Sequence, residues 1–336
     1  MDISKATGIW VIGEQHNGIL NPVCLELLGK AKELKEQLKF TEPVIAVVLG
    51  YNVEEMTEEL FKYGADEAII VDNPILKLFQ NELYAAVLED LIKENRPSII
   101  LMGATALSQD LASILGVRLN TGVAAHCVDL YINDENQMVS VVPAFGGKVL
   151  GKVLCPKRRP QIATVKPGIF NKHENSSHDK KVIKHNPEES LKGCFARMKA
   201  LKEFKEEYKG VPLNEADVII AGGWGIGSKE NWYLIEKLSV LLSGAVGSTR
   251  PPVDEGWASE SQMIGTSGKI VRPKVYIGIG ISGATHHICG MKDANLIISI
   301  NNDPHALIFE VSDICVEGDA KEILTNMLEE LKTFNQ

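Results

Sequence analysis

Between residues 8 and 102, short apolar runs rich in β-branched residues alternate with stretches of helical periodicity, an order few architectures accept. Gly8–Ile12 reads as a strand. Residues 23–38 then place Cys24, Leu27, Leu28, Ala31, Leu34 and Leu38 on one face at helical spacing. Val44–Leu49 is apolar throughout, as in a strand covered on both faces. Helix Met56–Tyr63, strand Glu67–Val71, helix Glu82–Glu94 and strand Ser98–Met102 follow in turn. Alternation of this kind predicts an α/β domain with a Rossmann-like parallel sheet and right-handed helical crossovers. From Leu130 to Thr164 the runs shorten and turns appear at Asp134–Glu135–Asn136 and Gly146–Gly147, which predicts an antiparallel addition.

Residues 171–190 are polar, charged and without apolar periodicity, the composition of a linker. The charge-rich stretch Leu191–Tyr208 reads as a helical continuation of it. A second α/β pattern then begins: strand Asp217–Ala221, helix Lys229–Leu242, strand Lys274–Ile277, helix Ala284–Cys289, strand Leu296–Ile300 and a closing helix Ala320–Leu331. The expected organisation is an N-terminal α/β domain over 1–190, a connection over 191–210 and a C-terminal, doubly wound α/β domain over 211–336.

Composition excludes several function classes. A net charge of -9 disfavours nucleic-acid binding, which rests on clustered Lys and Arg. The six cysteines, at 24, 127, 155, 194, 289 and 315, include no CxxC pair, so neither a zinc ribbon nor an iron–sulfur module is expected. The histidines at 16, 126, 173, 178, 185 and 305 show no spacing suited to a metal set. The N-terminus lacks a signal or transit pattern, and no apolar run reaches the ~18 residues of a membrane span. We expect a cytoplasmic protein with no bound metal.

The chemistry concentrates in the second domain. Strand Lys274–Ile277 runs into Gly278-Ile-Gly280-Ile-Ser-Gly283 and then a helix, which satisfies GxGxxG in its required context. Such glycines let backbone close on a pyrophosphate, and a helix N-terminus offers it free N–H groups. Gly222-Gly223-Trp224-Gly225-Ile226-Gly227 repeats the arrangement after strand Asp217–Ala221. Residues 244–253 and 262–270 add Ser248, Thr249, Arg250, Thr266 and Ser267 at further glycine turns. Hydroxyls and N–H groups there suit phosphate oxygens or the edge of a heterocycle.

GAVGSTR (244–250), QMIGTSGKIV (262–271), YIGIGISGATHHICGMKDA (276–294), INNDP (300–304) and IFEVSDI (308–314) together resemble the alpha subunit of electron transfer flavoproteins. GATALSQDLASILGVRLNTG (103–122) and RPQIATVKPGIF (159–170) carry a weaker likeness into the first domain. The resemblance implies an FAD-binding second domain and a first domain that pairs with a beta subunit in an obligate heterodimer. It implies a redox carrier serving dehydrogenases, usually of the acyl-CoA type, with no catalytic acid or base of its own because the cofactor carries the chemistry. NADH, ferredoxin or another molecule would be the second partner, by bifurcation or by simple transfer.

Residue by residue, the resemblance sets Thr249 at the FAD phosphates and Arg250 against the isoalloxazine. Met263, Ile264, Gly265, Thr266 and Ser267 would run along the flavin edge, with the Ser267 hydroxyl near N5. Gly280, Ser282, Gly283, Ala284 and Thr285 would cradle the pyrophosphate and ribityl chain. His287 would face O2, with His286 beside it, and Asn301, Gly318 and Asp319 would hold the adenosine half. A cation or donor at the N1–C2=O end, Arg250 or His287, would stabilise the negative charge of reduction. The chain departs from the family at Trp224, where Arg is usual, at Ser267 for Thr, at His286 for Gln and at Lys166 for Arg. Two other classes remain: an NAD-dependent dehydrogenase using Gly278–Gly283 with Asp303 on the ribose, and a non-catalytic interaction protein on a degenerate nucleotide fold.

Overall fold

A computed structural model describes residues 5–39, 41–144, 149–174, 180–192, 194, 196–203, 210–213 and 216–334. The chain divides into two compact units, residues 1–204 and 205–336.

In the first unit the elements run β1 (Thr7–Gly13), a small hairpin of β2 (Gln15–His16) and β3 (Ile19–Leu20), α1 (Pro22–Leu38), β4 (Val44–Gly50), α2 (Thr57–Lys62), β5 (Glu67–Asp72), α3 (Asn81–Asn95), β6 (Pro97–Gly103) and α4 (Ala106–Arg118). Then come β7 (Val123–Cys127), β8 (Asp129–Ile132), β9 (Met138–Ala144), β10 (Val149–Val153), β11 (Gln161–Val165), β12 (Lys181–Lys184) and α5 (Glu188–Leu191). Seven strands form one sheet in the order β12-β5-β4-β1-β6-β11-β7, all parallel. Successive side chains of β1 go to opposite faces: Ile9 and Val11 join a core with α1, while Trp10 and Ile12 join one with α3 and α4. Burial on both faces is why this strand has no polar alternation. Helix α1 starts where its sequence says it should, with Asn21 accepting from the Val23 N–H and Pro22 in the first turn.

Three expectations need correction. The antiparallel addition is narrower than 130–164: only β8, β9 and β10 form it, and β11 returns to the parallel sheet between β6 and β7. All five residues of β11 are buried, the mark of a central strand. Residues 171–190 are not simply a linker either, because Lys181–Lys184 adds to β5 as an edge strand. Its lysines pair with Glu67 and Glu54 on neighbouring elements, and charged edge strands look like linkers by composition. No helix spans the described residues between 192 and 203; Arg197 instead anchors that stretch to Glu82, 2.9 Å from its Nε. The turn expected at Gly146–Gly147 and residues 204–208 of the expected helix lie outside the described residues.

The second unit contains β13 (Val218–Gly222), α6 (Lys229–Leu241), β14 (Ala245–Ser248), α7 (Arg250–Asp254), β15 (Val275–Ile279), α8 (Thr285–Ile288), β16 (Ile297–Asn301), β17 (Ile314–Glu317) and α9 (Ala320–Phe334). Its five strands are all parallel in the order β14-β13-β15-β16-β17. Sequence reading missed β14 and β17. Both are four-residue outer strands, and one contains Gly247, so neither gives a clear apolar run.

Candidate functional site

Parallel strands put all their carboxyl ends on one edge, and in open α/β sheets ligands bind where the strand order reverses along that edge. In the second unit the chain steps from β13 to β14 on one side and then back across to β15, so the reversal lies between β13 and β15. The two glycine turns leave the sheet there. The sequence-nominated residues follow β14, β15, β16 and β17 along the same edge, apart from residues 263–267, which bridge onto it.

Thr249 follows β14, is buried, and its N–H donates to the Gly222 carbonyl at 3.1 Å, tying the ends of β13 and β14 together. Arg250 opens α7 and is exposed; its Nε lies 3.3 Å from Asp254 Oδ2, also exposed. Met263 bridges to Ser248, and the Ile264 N–H donates to the Ser248 carbonyl at 2.9 Å. Gly265 takes φ +140 and packs against the His286 backbone. Thr266 donates to the His286 carbonyl through both its N–H, 2.8 Å, and its hydroxyl, 3.2 Å. The side chains of Thr266, Ser267, Ser282, Thr285 and His286 are exposed.

Two features differ from the motif reading. Gly278 is a residue of β15, not of the turn after it, and the helix beyond Gly283 is the four-residue α8, too short to build an anion site from its dipole. The close approach the glycines permit is to neighbouring backbone. Gly280, at φ +63, and Gly225 lie back to back, with the Gly225 N–H donating to the Gly280 carbonyl at 2.9 Å. Gly283, at φ +87, packs onto the Leu307–Ile308 backbone just after Ser282, whose carbonyl accepts from the Ile308 N–H. Ala284 is the residue before α8, and its carbonyl accepts the first bond of that turn.

His287 is buried and both ring nitrogens are engaged: Nδ1 is 3.0 Å from the Ile264 carbonyl and Nε2 is 2.7 Å from the Tyr276 hydroxyl. Burial, opposed in part by the bond to Ile264, holds its pKa down to about 4, so the ring is neutral. It supplies no cation, and no free N–H remains to donate. The cation at this edge that the sequence nominated is Arg250, which carries its ion-pair partner Asp254 with it. Asn301, at the end of β16, donates from Nδ2 to the Ile281 carbonyl at 2.8 Å and accepts the Gly318 N–H on its own carbonyl. Asp319 accepts the Glu322 N–H and so caps α9. Asn301 and Gly318 thus join the ends of β16 and β17 to the 281–283 turn. Tyr276, wholly buried on β15, was missed; its position in an apolar strand gives no sign of a polar partner.

Trp224, exposed in the first glycine turn, stacks on Trp257 with ring centroids 5.1 Å apart and an interplanar angle of 11°. An aromatic plane stands where the resemblance leads one to expect a guanidinium.

The first unit reverses its strand order between β1 and β6, but its edge is chemically different. The Glu14 carboxylate occupies the N-terminus of α4, accepting from the hydroxyls of Thr105 and Ser108 and, at 3.0 Å, from Asn21 Nδ2. A carboxylate there repels phosphate. Of the two edges, the one with exposed hydroxyls and an arginine belongs to the second unit.

The model of the electron transfer flavoprotein domain matches residues 9–190, and that of the electron transfer flavoprotein FAD-binding domain matches residues 212–292. Among relatives, an electron transfer flavoprotein subunit alpha of Thermoanaerobacterium thermosaccharolyticum is 39% identical over 96% of this chain and 97% of its own. The chain belongs to the electron transfer flavoprotein alpha-subunit family. Its cofactor is FAD. Other relatives are the lactate dehydrogenase (NAD(+),ferredoxin) subunit LctC of Acetobacterium woodii, 36% identical over 98% of this chain and 78% of its own, and the acryloyl-CoA reductase electron transfer subunit beta of Anaerotignum propionicum, 35% identical over 98% and 97%. The exposed hydroxyls and Arg250 at a strand-order reversal fit a dinucleotide carrying phosphates and an electron-accepting ring. The nicotinamide alternative loses its footing: Gly278 is inside a strand, and Asp303 Oδ1 closes a turn onto the His305 N–H at 2.9 Å.

Proposed function

We propose that this chain is the FAD-carrying alpha subunit of a heterodimer that shuttles electrons between a dehydrogenase of the acyl-CoA type and a second partner, NADH or ferredoxin. The observation that carries this reading is Arg250, an exposed cation on the hydroxyl-rich edge where the β13–β15 reversal lies. Residues 1–190 face the beta subunit, 191–210 connect, and 211–336 hold the cofactor. The names of the Acetobacterium and Anaerotignum relatives support NAD, ferredoxin and acyl-CoA chemistry as the partners. Cys24 and Cys127, buried as thiols in an apolar core, support a reducing cytoplasm, and no helix among the described residues is long and apolar enough to cross a membrane.

FAD supplies the one- and two-electron chemistry when bound. The chain orients it and biases its charge. Arg250 favours added negative charge, the exposed hydroxyls of Thr266 and Ser267 exchange hydrogen bonds with the ring edge, and Ser282 and Thr285 bind phosphate or ribityl oxygens. Purified with its beta subunit, the protein is expected to be yellow. One FAD per heterodimer indicates simple transfer, two indicate bifurcation, and a preparation that stays colourless after incubation with FAD refutes the reading. Arg250→Ala is expected to lower the flavin's first one-electron potential by on the order of 50 mV, from the loss of about 1 kcal/mol of Coulombic stabilisation at a solvated site. Potentiometric titration measures it, and an unchanged potential removes Arg250 from the site.

A further inference from the structure

We propose that Tyr276 is a positioning residue for the flavin, fixing through His287 the peptide of Ile264 and with it the segment that presents Thr266 and Ser267. The inference rests on the reading of Thr266 and Ser267 as flavin contacts. Its substance is a forced order of donors. The Ile264 carbonyl can only accept, so His287 Nδ1 carries the hydrogen. In a neutral imidazole Nε2 is then a lone pair, and the Tyr276 hydroxyl, 2.7 Å away, donates to it. The phenol keeps its proton, since burial pushes its pKa far above the ordinary range.

These three residues are buried among apolar side chains. Tyr276 and Ile264 belong to one apolar core with Ile281, Met291 and Ile308, and Tyr276 and His287 rings are 6.2 Å apart at 53°. An imidazole nitrogen left without its partner there must find another, and moving the ring withdraws the donor from Ile264. Backbone bonds also tie the segment it holds, Ile264 N–H to Ser248, Gly265 N–H to Lys269 and Thr266 N–H to His286, and the Thr266 hydroxyl adds a second bond to that His286 carbonyl. The His287 ring bonds the Ile264 carbonyl itself, and it reaches across from the turn after β15. Contacts to a cofactor need placement within about 0.5 Å, which a supporting shell provides.

The test compares Tyr276→Phe with Thr266→Ala/Ser267→Ala and with Tyr84→Phe in the assembled heterodimer. Tyr84 is a buried tyrosine of the first unit whose hydroxyl donates to the Leu76 carbonyl at 2.8 Å, so its variant reports the general cost of a lost buried hydroxyl. Tyr276→Phe is expected to raise the FAD dissociation constant about tenfold, the effect of one buried hydrogen bond, and to shift the bound flavin's absorption bands. Tyr84→Phe should do neither. Nitrogen-15 spectra of histidine-labelled wild-type protein should show His287 as the Nδ1–H tautomer. If the double variant is impaired and Tyr276→Phe matches wild type, the relay is refuted alone. If the double variant also matches wild type, or the wild type takes up no FAD, the flavin reading of the segment falls and the proposal with it. Should Tyr276→Phe fail to assemble, the tautomer decides: an Nε2–H ring overturns the proposal.

Discussion

Gly280→Ala is expected to destabilise the FAD-binding unit by about 3 kcal/mol or more and to strip the heterodimer of firmly held flavin. Two costs add. Gly280 sits at φ +63, where an L side chain costs roughly 1–2 kcal/mol. A Cβ there would also lie 2.7 Å from the Gly225 carbonyl carbon and 2.9 Å from the Ile226 nitrogen. Both are backbone atoms, so the clash cannot be relieved by a rotamer change, and overpacking of this kind costs about 1–3 kcal/mol. The two turns would have to separate at the reversal point, and with them the edge that carries Ser282 and Thr285. Gly227→Ala separates the two costs. Gly227 has φ +87, but a Cβ there meets only Asn231 Nδ2, at 3.8 Å, so about 1 kcal/mol of strain is expected and FAD should stay bound. Urea unfolding and FAD content of both variants decide. Equal losses would mean that φ alone matters and that the contact between the turns is soft.

That pair also marks what the sequence could and could not reveal. GxGxxG after a strand is legible, and it correctly draws attention to the switch point. Which glycine faces what is not legible, because a glycine admitting a phosphate and a glycine admitting another loop look the same in one dimension. Central strands such as β4 and β15 announce themselves as apolar runs, since both faces are covered. Edge strands do not: β12 is bounded by lysines at both ends and reads as linker, and β14 ends in Gly247 and Ser248 and reads as loop. Arg250 could be nominated from its motif. The fate of His287 could not, because its chemistry depends on a carbonyl 23 residues earlier and a hydroxyl 11 residues earlier. Both ring nitrogens of the histidine nominated as a donor to the flavin have partners within the protein.

The buried, neutral state of His287 should make the FAD-binding unit sensitive to acid. In the unfolded chain this ring titrates near 6.5; folded, burial holds it at about 4. Between those values the unfolded state binds more protons, so stability falls as the pH drops through that window and is fully present above 6.5. At about 1.4 kcal/mol per pH unit, the ring's share of the loss by pH 4 is about 3 kcal/mol. His287→Gln keeps an amide donor for Ile264 and an oxygen acceptor for Tyr276, and it cannot titrate. Its stability is therefore expected to be lower than wild type at pH 7 and to fall less steeply between pH 6.5 and 4, so that the two curves converge in acid. Three of the chain's four tryptophans, Trp224, Trp232 and Trp257, lie in this unit, and their emission during denaturant unfolding at each pH gives the measurement. Parallel curves for the two proteins would show that His287 is protonated as easily in the fold as out of it. Below pH 6.5 the donor order from Tyr276 to Ile264 would then fail, because a protonated ring has no lone pair at Nε2 to receive the tyrosine's hydrogen.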